Sequence, residues 1–222
     1  MGHSLDFSQI AQWLPSLFEG LQQTVFLTFA GMAVALVVGL AIALARLDPR
    51  KWYLTLPARI FVEVIRGTPL LLQLFYIFYV LPTFGIRLDR TFAAILGLGI
   101  NTGAYLSEVF RAGIDAVPKG QWEASDALGM PRSLTMRHII LPQAVRIVIP
   151  PVGNYFISMF KDTALASSIS VSELLFSGQL LAAQSFRYLE IYTVVFGIYL
   201  LVSYPASLGV RWLERRVRIQ SR

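Results

Sequence analysis

Five apolar stretches, separated by short polar intervals, set the pattern of this chain. Thr24 to Ala45 runs for about 22 residues without a charge, and about 20 suffice for a helix across a bilayer. Pro57 to Leu81, Thr91 to Ser107 and Ile191 to Val210 repeat the pattern. The fourth stretch is less regular. Ile147 to Phe160 is uncharged for about 14 residues and holds Pro150 and Pro151, so Gln143 to Asp162 together must make the crossing. The pattern predicts an all-α polytopic membrane protein with five transmembrane helices in a single domain, 1–222. The spans fall at 21–46, 58–81, 91–113, 143–163 and 190–211. Residues 1–20 precede them as an amphipathic segment, with Phe7, Ile10, Leu14, Leu17 and Phe18 near one face. That segment has no Lys or Arg, so it does not open like a secretory signal.

The polar interval 115–142 has an order of its own. Glu123, Ala124, Ser125, Asp126, Ala127 and Leu128 favour a short helix, and Gly129 can take the positive φ that ends one. Pro131 suits the first turn of a second short helix, which Pro142 is expected to close. The interval is too polar for lipid and too regular for a linker. It reads as a docking element between the third and fourth spans.

Inside the spans, a few positions break the apolar rule. Gly31, Ala35 and Gly39 recur every fourth residue, where a second helix can approach closely. Arg59, Glu63 and Arg66 are spaced for pairing along one helix face. Gly67 and Pro69 break or kink the second span, which is tolerated at membrane depth where backbone lines a cavity. Tyr155, Ser158 and Asp162 form one helical stripe with Asn154 beside it, and such a stripe should face protein or water. Thr68, Gln73, Asn101, Asn154, Tyr155, Ser158 and Asp162 are therefore candidate contacts for a polar substrate. Tying helices together is the competing role for the same groups. Glu108 and Arg111 are spaced to pair near the inner end of the third span. Ser170 to Glu173 reads as a capping box opening an outer helix from Leu174 to Ala183.

Composition sharpens this picture by exclusion. Charged residues make up 14% of the chain, against about 25% in soluble domains. There is no cysteine, and His3 and His138 are the only histidines, so thiolate or histidine metal sites are not expected. The net charge of +6 does not point to nucleic acid, because the basic residues cluster beside apolar runs. Placing the loop after the first span, the docking element and the C-terminal tail on one side leaves only Arg87, Arg90, Lys161 and Arg187 of the 19 basic residues on the other. By the positive-inside rule the N-terminus is outside and the C-terminus inside.

Glu123-Ala124-x-x-Ala127-x-Gly129, followed by Ile139-x-Leu141-Pro142, resembles the EAA loop of ABC importer permeases. Ser125 replaces the third residue of that pattern. Arg66-Gly67-Thr68-Pro69, Asn101-Thr102-Gly103-Ala104-Tyr105 and Lys161-Asp162-Thr163-Ala164-Leu165-Ala166 resemble the polar amino-acid branch, of the cystine, glutamate and histidine type. The resemblance runs over roughly residues 15 to 215. It implies a multi-pass permease of the bacterial cytoplasmic (inner) membrane, working as a homo- or heterodimer with a second permease subunit. It implies ABC ATPase subunits that hold ATP and magnesium, an extracytoplasmic substrate-binding protein and an amino-acid substrate. The chain has no GxxxxGK(S/T) sequence, so it is not expected to be an enzyme or to hold a cofactor itself. Glu123, Ala124, Asp126, Ala127 and Gly129 are the expected ATPase-coupling residues. Basic-amino-acid carriers of the branch often have a glutamate where Tyr155 stands, so a neutral or acidic substrate is expected. An ATP-independent secondary amino-acid transporter is the alternative, but no internal repeat of the kind common in that class is evident.

Overall fold

The structure is a computed structural model that describes residues 7–48 and 50–217. The first six residues of the expected N-terminal segment and the last two arginines of the tail lie outside them. Every regular element among the described residues is helical. Three helices are each long and apolar enough to cross a membrane: α1 (Ile10–Ala45), α4 (Arg90–Asp115) and α9 (Tyr188–Val217, qualifying over Tyr188–Arg216). Two bent pairs raise the number to five if each is one crossing. The first is α2 (Trp52–Gly67) with the segment that starts at α3 (Leu70–Phe75), bent by 107°. The second is the helical run Arg132–Ile169 with α8 (Leu174–Ser185), bent by 49°.

No break separates the amphipathic segment from the first apolar stretch. α1 is one helix of 36 residues, roughly 54 Å long against a hydrocarbon core of about 30 Å. Trp13 and Leu17, near its N-terminal end, are buried against Leu174, Ala182, Ile191 and Val195 of α8 and α9. Of the amphipathic segment's apolar face, Leu17 is thus covered by the chain itself and Ile10 partly so, while Phe7, Leu14 and Phe18 stay exposed.

The small-residue stripe of α1 meets a matching one on α4. A Cβ on Gly39 would lie 2.9 Å from the Gly103 carbonyl oxygen, and one on Gly103 would lie 3.1 Å from that of Ala35. Where both partners lack side-chain bulk, the two backbones come into direct contact. Where α1 ends, Arg46 donates to Glu108 of α4. Glu108 also accepts from Arg111 at 3.5 Å, as the spacing predicts.

The docking element departs from expectation in its second half. α5 (Lys119–Ala127) ends at Leu128, and Gly129 follows with φ +68°, as predicted. Pro131 then precedes α6 (Arg132–Thr135). Pro142 closes nothing. α6 passes through a π turn (Met136–Ile140) straight into α7 (Leu141–Asp162). Pro142 follows directly on the π turn, inside a continuous helical run. α7 also continues across Pro150 and Pro151 and ends in a 3₁₀ stretch, Thr163–Ile169.

The capping of α8 differs as well. Ser170 is left-handed, with φ 60°, and cannot act as the cap. Glu173 does: its carboxylate accepts from the backbone N–H groups of Leu175 at 2.9 Å and Phe176 at 2.7 Å. The Tyr199 hydroxyl donates to it at 3.0 Å, and the Leu174 N–H donates to Thr24 Oγ1 at 3.1 Å. Glu173 is fully buried, and with three donors its carboxylate is satisfied. It joins α1, α8 and α9 in one network.

Candidate functional site

The break between α2 and α3 is built by Gly67-Thr68-Pro69. Thr68 and Pro69 are extended, with ψ 145° and 135°. A helix end leaves carbonyl groups without partners. Here the side chains answer them. The Thr68 hydroxyl donates to the Val64 carbonyl at 2.9 Å. The Gln73 amide donates to the Ile65 carbonyl at 2.8 Å and to the Thr68 hydroxyl at 2.8 Å. From α4, Asn101 Nδ2 donates to Gln73 Oε1 at 3.1 Å. Asn101 is buried, Gln73 half-buried and Thr68 exposed. Three of the candidate substrate contacts are thus one hydrogen-bonded cluster that holds the broken helix against α4.

A second layer lies one turn along α4. The Arg66 guanidinium stands 5.2 Å from the centre of the Tyr105 ring, within reach of a cation–π contact. Tyr105 stacks on Tyr155 of α7 at 6.1 Å between centroids. Arg66 therefore does not pair with Glu63, and among the described residues neither Arg59 nor Glu63 has an ion-pair partner in the chain. The stack connects the break to the polar stripe of α7. Of the remaining candidates, Asn154 is exposed while Ser158 and Asp162 are half-buried. Among the described residues no hydrogen bond joins their side chains to the Gln73 cluster. Arg66 and Tyr105 were not among the candidates. Tyr105 is one turn beyond Asn101 on the same helix, which is the signal that could have found it.

The cluster's energetic role is measurable. Gln73→Ala leaves the buried Asn101 amide without its acceptor, and an orphaned buried polar group costs about 1–3 kcal/mol. A lower melting temperature is expected for the purified protein in detergent, and Gln73→Glu should retain part of the loss because its carboxylate can still accept from Asn101. An unchanged melting point for Gln73→Ala would show that the cluster carries no weight.

The docking element presents a different surface. Trp122 packs with Val117 just after α4, Ile140 of the π turn and Ala144 of α7, and Arg132 lies 5.5 Å over its ring. Ser125 is buried and donates to the Gln121 carbonyl at 2.7 Å. These two residues, three apart, define the anchored face of α5. Glu123, Ala124, Asp126, Ala127 and Gly129 are all exposed, and Leu128 is 78% exposed. The exposed face of α5 thus carries a carboxylate, two alanines and a large apolar side chain side by side. Trp122 itself was missed as the anchor, because its partners are far away in sequence.

The described residues contain no group of His, Asp and Glu able to hold a metal ion. Comparison with known proteins places the chain in a family. A family model described as "binding-protein-dependent transport system inner membrane component" matches residues 35–219, and the chain belongs to this family of ABC importer permeases. The probable amino-acid ABC transporter permease protein y4tG of Sinorhizobium fredii is 42% identical over 90% of this chain and 87% of its own. The L-cystine transport system permease protein TcyB of Bacillus subtilis is 42% identical over 96% and 90%. The glutamine transport system permease protein GlnP of Escherichia coli is 40% identical over 96% and 98%. Among solved structures, an amino acid ABC transporter crystallised with histidines superposes with a TM-score of 0.92 at 37% identity, over 96% of this chain and 99% of that one. The MetNI methionine ABC transporter in an inward-facing form superposes with a TM-score of 0.78 at 18% identity, which speaks for the fold. The matches do not favour a secondary transporter.

Proposed function

We propose that this chain is the permease subunit of an ABC importer for polar amino acids in a bacterial cytoplasmic membrane. It forms the translocation pathway with a second permease subunit. The observation that carries the reading is the combination of a chain-long match to an amino-acid transporter structure with a helix whose exposed face has nothing to do for the fold. ATPase subunits, which hold ATP and magnesium, receive that face in the cytoplasm. Glu123 anchors the contact, Ala124 and Ala127 allow close approach, Asp126 adds charge, and Gly129 sets the exit angle. Closure of the ATPase pair moves α5, and the attached helices tilt between inward and outward access. An external binding protein delivers the substrate.

The substrate contacts are Thr68, Gln73, Asn101, Asn154, Tyr155, Ser158 and Asp162, grouped around the broken helix and the Tyr105–Tyr155 stack. A neutral or acidic substrate fits the absence of a carboxylate at Tyr155, and cystine and glutamine, named for two relatives, carry no net charge. Coexpression with the ATPase subunit, purification and reconstitution test the reading. Uptake of a labelled amino acid should require both ATP and the external binding protein. Uptake that follows an ion gradient without ATP would overturn it.

A further inference from the structure

We infer that Arg59 and Glu63 form reciprocal ion pairs between the α2 helices of two copies of this chain, beside the broken helix. The inference rests on the dimer proposed above and adds the contact that closes it. Of the 16 residues of α2, only Val62 is buried by the rest of the chain. Arg59 and Glu63 are exposed, one turn apart on a single face, and neither has an ion-pair partner among the described residues. α2 belongs to a segment that passes for a membrane crossing only together with α3. Unpaired charges in such a segment are costly in lipid and are expected to face protein or a hydrated cavity.

The pattern of charge says which protein. In a twofold dimer, whatever residue i touches on the partner, the partner's residue i is touched in return. An arginine and a glutamate four residues apart satisfy that rule with no further help. If the axis passes between them, Arg59 meets the partner's Glu63 while Glu63 meets the partner's Arg59. One crossing yields two ion pairs. Two like charges at these positions would repel in the same arrangement. Arg66, next along the stripe, is held on the Tyr105 ring. The pairs thus sit beside the stack that leads to Tyr155, where they can separate or close the two halves of the pathway.

The absence of cysteine from the chain makes a clean test possible. Two differently tagged copies are coexpressed in the assembled transporter, one carrying Arg59→Cys and the other Glu63→Cys. An arginine–glutamate pair keeps the backbones further apart than the roughly 4.4–6.8 Å a disulfide needs, so a short bifunctional maleimide is the probe. The expected result is a covalent dimer carrying both tags, with none from a pair of Phe61→Cys copies. If the tags copurify but no covalent dimer forms, the ion pairs are wrong and the dimer stands. If the tags do not copurify, the dimer of identical chains falls and the ion pairs fall with it. Uptake supplies a second readout. Glu63→Arg should lower it about tenfold, and the exchange Arg59→Glu with Glu63→Arg should recover most of the loss, as reciprocal charge pairs do. A double variant no better than the single one would overturn the inference.

Discussion

Glu123→Lys is expected to lower ATP-driven uptake at least tenfold, roughly 1.4 kcal/mol or more of lost coupling, while the subunit remains folded in the membrane. The reasoning starts from what Glu123 does not do. It is exposed, and among the described residues its carboxylate has neither an ion pair nor a hydrogen bond within the chain. Trp122 and Ser125, on the other face, hold the helix in place. Reversing the charge at 123 therefore leaves the fold's own contacts intact, and its effect must pass through whatever covers α5. Truncating or reversing one member of a buried interfacial charge pair costs about 2–5 kcal/mol. The measurement is substrate-stimulated ATPase and uptake in the reconstituted complex, beside a thermal melt of the subunit alone. Normal stimulated ATPase in the variant would remove Glu123 from the coupling contact.

Gly39→Val is expected to damage the fold severely. The new Cβ would lie 2.9 Å from the Gly103 carbonyl oxygen and 3.0 Å from Leu106 Cβ. Neither is the free end of a flexible chain, so α1 and α4 must move apart. Overpacking of this kind costs about 1–3 kcal/mol, and more where backbone is in the way. Gly197→Ala and Gly209→Ala on α9 are the controls, since an added Cβ there meets nothing within 4 Å. A melting point for Gly39→Val equal to those of the controls would show that the seam does not set the distance between α1 and α4.

Much of this was legible because it is local. The stripe Gly31, Ala35, Gly39 is periodic, and periodicity alone marks a face. Pro69 announces a break because it forces the residue before it, Thr68, out of the helical region, and Gly129 can take its positive φ because it has no side chain to clash. What could not be read is what depends on a distant partner. Arg46 finds Glu108 across 62 residues, and Glu173 meets Thr24 and Tyr199 only after three helices have packed. Ser170 looked like a cap because its neighbours fit the pattern, but the turn before α8 puts it in the left-handed region. Pro142 misled for a related reason. A proline that ends a helix and a proline inside a continuous helical run carry the same local signal. In the candidate site, Thr68, Gln73 and Asn101 were recognisable as polar groups out of place. That they bind one another could come only from the geometry of the bend.

The unbroken helicity from Arg132 to Ile169 makes a rod of roughly 57 Å at about 1.5 Å per residue. α5 lies outside that rod and is joined to it through the bend at Gly129. In the coupling proposed above, a thrust on α5 would cross that bend and the π turn at Met136–Ile140 before it enters α7. Those two irregular points make the near end the compliant one, and the long helix beyond them a lever that turns a small stroke into a wide swing.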